Sequence, residues 1–375
     1  MKISILSMQR VNNFGSLLQA YSLKKILEEN GNNTVSFLDI QRNEDDDRLM
    51  EKRIDFAKEQ EKRGIIKALP HFDRYFCNRY LNKRANRKQN ALFEAFRENT
   101  LGITKESSNE QVDCCVIGSD EVFNCAVGNW WGFTTQLFGN VHQADKVLSY
   151  AASCGSTHDD MLPNAVKERI AASLEKLEMI SVRDNNTMEF VNHILQRQAA
   201  VQHCDPVVIA DFDQEIKDTE ITEALPEHYC VVYAYFNRIN KKEEIQAIKE
   251  FCRKNKLTIV SVGAPQYWIK HHLVLRPFEM LKVFQKADFV VTDTFHGTIF
   301  SAKYSKRFAV IARMSNKEKL LDLLERLEIT SHLISDMKEL SMTERRFEND
   351  FSVIRRIEKE ERARSMRDLS KAVHE

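Results

Sequence analysis

The residues most capable of chemistry lie between positions 287 and 312, in the stretch ADFVVTDTFHGTIFSAKYSKRFAVIA. An apolar run, a polar turn, a helix-like apolar pattern and a second apolar run predict strand, helix and strand. The first helical turn leaves backbone N–H groups unpaired at the positive end of the helix dipole, so it can bind an anion. Gly297 lets a ligand approach the backbone, and His296 can move a proton near neutral pH. Thr294 or Thr298 can cap the helix or bind phosphate oxygens.

An ordinary structural histidine and an ordinary helix cap would give the same local pattern. The position favours a binding site, because several polar groups and a glycine converge at the C-terminal end of a strand. Open α/β sheets bind ligands at such ends. We therefore predict that His296 belongs to a functional site.

Two further charged residues follow apolar runs. Arg183 follows the run ISV, and its guanidinium can bind a planar carboxylate or phosphate at two points, although an ion pair with Asp184 would explain it equally well. Asp120 follows the run VIGS and is the preferred general base, with Asp293 second. Either carboxylate can also cap a helix.

The segment from Asn12 to Ser16 has the form of a loop between a strand and a helix. Gly15 permits close approach and Ser16 can cap the helix. Hydrogen bonds are available from Asn12 and Asn13, and from Gln19 one turn further along. The segment lacks the three glycines of a dinucleotide fingerprint and the glycine-lysine pair of a P-loop, which disfavours NAD and ATP. A plain capped helix start is the alternative.

Glu279 and the pair His271 and His272 say less about a functional site. Glu279 follows Pro277 at a predicted helix start, where it can contact a ligand, but an acidic residue there also stabilises a helix N-terminus. His271 and His272 stand together without a third ligand at useful spacing. We predict neither a metal nor another cofactor.

Strand and helix patterns alternate along most of the chain, which predicts parallel sheets in two α/β units. A charged region with interspersed aromatic residues, at about residues 42–110, indicates a helical insertion. The step from Asp205 to Pro206 predicts a boundary, because the residue before a proline avoids helical geometry. The expected units are residues 1–205, residues 206–340 and a helical extension at 341–375.

The charge balance excludes a general attraction to polyanions. The 375 residues carry 55 Lys plus Arg and 55 Asp plus Glu, so no global field attracts nucleic acid. The chain start lacks the pattern of a signal peptide and no run is long enough to span a bilayer, which predicts a cytoplasmic protein. The 8 cysteines are scattered, which indicates buried reduced thiols.

Several short blocks of the sequence, all in the same order, resemble the polysaccharide pyruvyl transferase family. They are NNFGSLLQAY from Asn12, GSDEVFN from Gly118, SYAAS from Ser149, ISVR from Ile180, CDP from Cys204, and the strand that ends in Asp293 and leads through Thr294 into Phe-His-Gly. A set of blocks in order is far more specific than one short motif. Glu121 and Phe123 stand where family members often have Gln and Trp, which affects the expected acceptor more than the fold.

This resemblance implies two Rossmann-like domains that face each other across a cleft, as in glycosyltransferase-B-like proteins. It implies an acceptor side on the first domain and a donor phosphate side on the second. The implied activity moves a pyruvyl (enolpyruvyl) group from phosphoenolpyruvate to a sugar of a surface polysaccharide or its precursor, and forms a pyruvate ketal. The implied partners are phosphoenolpyruvate and a sugar or lipid-linked glycan, with peripheral membrane association allowed through that acceptor.

The family's donor-binding and catalytic His and Arg fall on His296 and Arg183. Phosphoenolpyruvate carries a phosphate and a carboxylate, so Arg183 is expected to bind one anion and the helix near His296 the other. Further donor contacts are expected from Thr294, Gly297, Thr298 and Glu279. His296 would donate a proton or hold the leaving phosphate, and Asp120 would accept protons from sugar hydroxyls. The acceptor is expected to contact Asn12, Asn13, Gly15, Ser16, Gln19 and Asp120.

Two alternatives stay open. A nucleotide-sugar-dependent glycosyltransferase would fit the same cleft, but it needs a base-stacking and ribose-binding site in the second domain, where Tyr235, Phe236 and Asn237 can imitate one. A non-catalytic or differently catalytic relative is the other alternative, because fold and family do not fix function.

Overall fold

Six parallel strands form the first sheet, in the order β2-β1-β3-β4-β5-β6. The computed structural model describes residues 1–50, 72–104, 110–126, 131–236, 238–313, 316–342 and 344–375. The strands are β1 Lys2–Leu6, β2 Thr34–Leu38, β3 Val112–Asp120, β4 Ala144–Ala152, β5 Ile180–Val182 and β6 Ala200–Gln202. The central strands β3 and β4 are buried over most of their length, as in parallel sheets with both faces covered by helices.

A second parallel sheet of six strands has the order β12-β11-β10-β7-β8-β9. Its strands are β7 Tyr229–Ala234, β8 Thr258–Gly263, β9 His271–His272, β10 Phe289–Thr292, β11 Phe308–Ile311 and β12 Leu333–Ile334. Every residue of β7, β10 and β11 is buried. These three strands therefore form the centre of the second domain.

The strand order reverses once in each sheet. β1 lies between β2 and β3, and β7 lies between β8 and β10. Ligands of open α/β sheets bind outside the carboxyl ends of the strands at such reversals. The carboxyl ends of β1, β3, β7 and β10 are therefore the expected location of a ligand.

The helices cover the faces of both sheets. They are α1 Phe14–Glu29, α2 Glu44–Arg48, α3 Phe72–Phe96, α4 Asn164–Leu174, α5 Asn185–Leu195, α6 Pro206–Ile209, α7 Asp213–Asp218, α8 Lys242–Lys254, α9 Pro277–Lys286, α10 Phe295–Tyr304, α11 Lys317–Arg326, α12 Glu339–Met342 and α13 Phe351–His374. Short single-turn helices complete the described elements.

An apolar core continues from the first domain into the second. The ring of Phe14 at the start of α1 lies 4.9 Å from that of Phe93 in α3 and 6.4 Å from that of Tyr233 in β7. Phe284 and Phe300 of the second domain belong to the same buried cluster. Burial of each such side chain contributes about 1.5–3 kcal/mol, so hydrophobic packing holds the two domains together.

The last helix, α13, contacts both domains. The Ser365 hydroxyl is hydrogen-bonded to that of Tyr150 in the first sheet at 2.9 Å, and Glu358 forms an ion pair with Lys303 of α10 at 2.8 Å. The helix carries a buried stripe that includes Ile354, Ile357, Leu369 and Val373. This narrow stripe is enough to fix a helix whose remaining face is highly charged.

These features confirm the predicted fold class, two α/β domains with parallel sheets. Residues 51–71 and 105–109 of the predicted insertion lie outside the described residues, and its described helices are α2, α3 and a short helix at Arg97–Leu101. No helix in the described ranges has the length and apolar character needed to cross a membrane.

Candidate active site

The first turn of α10 is fixed by its own threonines. Thr294 is the N-cap, and its hydroxyl accepts a hydrogen bond from the Gly297 N–H at 3.0 Å. The Thr298 hydroxyl donates to the Thr294 carbonyl at 2.9 Å. A Cβ on Gly297 would lie 2.2 Å from the Thr292 hydroxyl oxygen, so packing alone requires glycine there. Thr294 therefore caps the helix and Thr298 ties the first turn back to it, which fixes His296 within that turn.

His296 lies at the boundary between the domains. The residue is only 7% exposed, and its ring packs against Gly15 at the start of α1. A Cβ on Gly15 would lie 2.3 Å from the His296 Nδ1 atom, closer than real Cβ atoms approach. Gly15 thus provides space for the imidazole of the other domain.

Asp205 joins His296 to Arg183. Its Oδ2 atom accepts a hydrogen bond from Arg183 Nη1 at 2.8 Å and lies 3.4 Å from His296 Nε2. Its Oδ1 atom accepts from the Val207 N–H at 3.0 Å and caps α6. Burial would raise the pKa of this fully buried carboxyl, but His296 and Arg183 outweigh burial and hold the pKa well below its usual range. Asp205 is therefore ionised between two cationic or protonatable groups.

The Arg183 guanidinium is almost completely buried among acidic groups and one aromatic ring. It lies 4.2 Å from the centre of the Phe295 ring, and Nη1 is 4.0 Å from Asp120 Oδ1. Burial alone would lower the pKa of Arg183. The carboxylates of Asp205, Asp120 and Asp184 outweigh burial and raise the pKa above its usual value, so the guanidinium stays charged. Its Nε atom is buried without a hydrogen-bond partner. A buried charged donor of this kind is expected to bind a ligand or water.

Asp120 brings a carboxylate to the same cluster. Its backbone has φ 75°, a left-handed conformation that costs free energy in a non-glycine residue. Oδ2 accepts a hydrogen bond from the Ser16 hydroxyl at 2.6 Å, and Oδ1 accepts from the Glu121 N–H at 2.9 Å. The side chain therefore lies between the first turn of α1 and Arg183, where it can accept a proton.

The N-terminal block contributes to the cluster unequally. Asn13 is the N-cap of α1 and accepts from the Ser16 N–H at 2.7 Å, which places the Ser16 hydroxyl beside Asp120. Asn12 accepts from an Arg97 guanidinium N–H of the segment after α3. Gln19 is fully buried beneath this surface and donates to the Ser7 hydroxyl at 2.8 Å.

Glu279 lies apart from these residues. Its Oε1 atom accepts hydrogen bonds from the Thr222 N–H and hydroxyl, both at 2.8 Å, and its Oε2 atom accepts from the Arg276 N–H at 2.7 Å. All of these contacts fix the start of α9 and the loop packed on it. The structure therefore does not bring Glu279 to the cluster formed by His296, Asp205 and Arg183.

Further charged residues surround the cluster, among them Asp293, the second candidate base predicted from the sequence. Asp293 is fully buried and receives the Nε–H groups of Arg238 at 3.2 Å and Arg313 at 3.0 Å. Lys319 of α11 pairs with Glu121 at 2.5 Å and links the two domains. No local motif marks Arg238, Arg313 or Lys319, because each meets its acidic partner only through the packing of neighbouring elements. Asp205 had one signal, its place in the CDP block.

The cysteines near the cluster are not activated nucleophiles. Burial raises the pKa of Cys154 well above its usual value and that of Cys204 to about 12. Both thiols are therefore protonated near neutral pH. The chemistry available to the cluster is instead proton transfer by an imidazole or a carboxylate, and anion binding by a guanidinium.

A family model described as polysaccharide pyruvyl transferase matches residues 13–316. No curated protein sequence matches the chain. Among solved structures, the UDP-GlcNAc 2-epimerase from Methanocaldococcus jannaschii is 10% identical with a TM-score of 0.47, over 95% of this chain and 98% of that one. A UGT transferase from Siraitia grosvenorii in complex with UDP is 9% identical with a TM-score of 0.42, over 100% of both chains. Similarity this low carries no information about the substrate.

Proposed function

The chain belongs to the polysaccharide pyruvyl transferase family, and we propose that it transfers a pyruvyl group from phosphoenolpyruvate to a sugar of a surface polysaccharide or its precursor, forming a ketal. Membership of the family makes it a polysaccharide-modifying transferase. The donor, the ketal product and the roles of individual residues are our proposals.

One observation supports the proposal most strongly. Residues from distant parts of the sequence converge at the domain boundary, where Asp205 contacts Arg183 at 2.8 Å and lies 3.4 Å from His296. Asp120 and Ser16 complete the cluster through their 2.6 Å hydrogen bond. A guanidinium, an imidazole and two carboxylates provide the anion binding and the proton transfers that the reaction requires.

The donor presents two anions on either side of a vinyl carbon. Arg183 can bind one of them at two points, and the first turn of α10 offers backbone N–H groups to the other. Because Arg183 belongs to the first domain and α10 to the second, the donor would be held between the domains. Such a position excludes water from the reacting carbon.

In the proposed reaction, His296 donates a proton to the donor's methylene carbon, which becomes a methyl group and leaves an oxocarbenium-like centre. One sugar hydroxyl attacks this centre and loses its proton, and phosphate then leaves. A second hydroxyl attacks the resulting cation, loses its proton and closes the ketal. Asp120 is the proposed base for these hydroxyls, and Asp205 orients the His296 ring.

The acceptor would lie against the first domain. Ser16 and Asp120 face the cluster directly, and Asn12, Asn13 and Gly15 form the adjoining surface of the loop. Gln19 supports that loop from below through Ser7. Contacts from a loop and a helix start suit a polar sugar, because they supply both donors and acceptors.

A ligand panel followed by a turnover assay tests the proposal. Phosphoenolpyruvate should raise the melting temperature of the purified protein, and nucleotide-sugars should not, because only a ligand of the native state stabilises it. With a glycan acceptor, phosphate release should accompany a mass increase of the glycan that corresponds to one pyruvate ketal. Stabilisation by a nucleotide-sugar together with no effect of phosphoenolpyruvate would favour a glycosyltransferase.

A further inference from the structure

A second arginine lies at the strand reversal of the second sheet. Arg238 follows β7, and Asp293 follows β10, the neighbouring strand on the side where the order reverses. Arg238 Nε donates to Asp293 Oδ2 at 3.2 Å, which holds its guanidinium at the carboxyl ends of these strands. This is the part of an open α/β sheet where ligands bind.

One outer nitrogen of Arg238, Nη2, is not used to stabilise the fold. This atom is buried and has no hydrogen-bond partner within the described residues. Arg313, which shares Asp293, differs in this respect because both of its Nη atoms bond to Glu244. A buried guanidinium nitrogen without an acceptor is costly, so its presence indicates an acceptor that comes from a ligand or from water.

Arg238 lies beside Tyr235, which responds to charges of both domains. Its guanidinium is 5.7 Å from the centre of the Tyr235 ring. Burial of the Tyr235 hydroxyl raises its pKa, and the charges of Asp120 and Glu121 raise it further while Arg238 lowers it. Tyr235 therefore has the acidic residues of the first domain and Arg238 of the second within electrostatic reach.

The local charges of the two arginines differ. Arg183 has three carboxylates around it, Asp205, Asp120 and Asp184. Arg238 contacts one carboxylate, Asp293, whose charge Arg313 also neutralises. The carboxylates near Arg183 therefore repel an anion more strongly than the single carboxylate near Arg238 does. A phosphoryl group with two negative charges fits better at Arg238, and a carboxylate with one negative charge is the anion that Arg183 can accept.

We propose that Arg238 binds the phosphoryl group of the donor, while Arg183 binds its carboxylate. This inference rests on the proposed function and deepens it, because it assigns the two anionic groups of phosphoenolpyruvate to different residues. Arg238 is also well placed to stabilise the charge that grows on the phosphoryl oxygens as phosphate leaves.

Titration calorimetry with three probes tests the assignment. We expect Arg238→Gln to weaken binding of inorganic phosphate and of phosphoenolpyruvate by at least about tenfold, the usual scale of a charge-assisted hydrogen bond. Binding of pyruvate, which has only the carboxylate, should change by less than about twofold. Arg253→Gln is the matched control, because it removes one positive charge from an exposed site near the end of α8.

A second measurement uses the unaltered protein, in case Arg238→Gln does not fold. Phenylglyoxal modifies arginine side chains, and peptide mass spectrometry reports the rate at Arg238. Inorganic phosphate should slow this rate severalfold while leaving Arg253 unaffected. Equal rates at Arg238 with and without phosphate would overturn the assignment.

The outcomes separate this inference from the proposed function. If the wild-type protein binds phosphoenolpyruvate and Arg238→Gln binds it equally well, the role of Arg238 is wrong and the proposed function stands. Loss of pyruvate binding with retained phosphate binding in Arg238→Gln would also overturn the assignment. If the wild-type protein binds neither phosphoenolpyruvate nor phosphate, the proposed function itself fails.

Discussion

Gly15 and His296 touch across the domain boundary so closely that a Cβ on residue 15 would lie 2.3 Å from the imidazole Nδ1. The two residues come from the first turns of α1 and α10, which belong to different domains. The glycine therefore determines where the histidine ring can lie.

Gly15→Ala should displace the His296 ring and lower turnover by about a hundredfold, the cost typical of a displacement near 1 Å at a reacting group. The free energy of unfolding should also fall, since the new methyl group meets the ring. Chemical denaturation of the single and double variants checks the cause. In a His296→Ala background the ring is absent, so Gly15→Ala should cost less stability there, and an equal cost would contradict the contact.

His296→Ala should give a folded protein that releases phosphate from phosphoenolpyruvate about a hundredfold to ten-thousandfold more slowly, because the proposed general acid is lost. Phosphate release in the presence of acceptor measures the effect. His142→Ala is the control, since His142 is exposed and lies just before the amino end of β4, whereas the cluster lies at carboxyl ends of strands. Near-normal turnover by folded His296→Ala would remove this residue from the mechanism.

Asp205→Asn should destabilise the protein by about 3 kcal/mol near neutral pH, because it leaves Arg183 buried with a weakened partner. The folded-state pKa of Asp205 is depressed, so its ionised form contributes stability above the unfolded pKa, about 3.9. That contribution is lost as pH falls through the lower folded-state pKa.

The difference in unfolding free energy between wild type and Asp205→Asn should therefore be largest near neutral pH and shrink below about pH 4. Denaturant titrations at several pH values measure it, with Asp145→Asn at an exposed site as the control. A difference that grows as the solution becomes more acidic would reverse the sign and contradict the depressed pKa.

Glu279→Gln should lower stability by about 1–2 kcal/mol and leave phosphoenolpyruvate affinity unchanged, because the carboxylate fixes the start of α9 and the Thr222 loop. Thermal unfolding and calorimetry on the same sample separate the two effects. Reduced donor affinity in a Glu279→Gln protein of normal stability would restore Glu279 to the site.

The predictions from sequence succeeded where the deciding interactions are local. Alternating apolar patterns identify β10 and α10, so the start of a helix at Phe295, and with it the location of His296, followed from a few neighbouring residues. The same holds for Asp120 at the end of β3. The expected cap of α1 was wrong by three residues: Ser16 was expected, whereas Asn13 is the N-cap and Ser16 lies in the first turn, where its N–H donates to Asn13.

The remaining site residues depend on contacts that no local pattern contains. Asp205 meets His296 only because the domains pack together, and Arg238 meets Asp293 only because β7 and β10 are neighbours in the sheet. For Glu279 the local pattern was compatible with two roles, and the packing of the Thr222 loop supplied the missing information. Gly15 was expected to admit a ligand, whereas the neighbour it admits is a side chain of the same chain.

The packing of α13 also determines when the protein can finish folding. The Tyr150 hydroxyl, in the middle of the first sheet, is hydrogen-bonded to Ser365, 215 residues later, and Val373 is buried in the same core. During synthesis the first domain emerges from the ribosome long before this helix exists. Until α13 has been synthesised, part of the core of the first domain stays uncovered. Both domains therefore reach their final stability only when this helix docks.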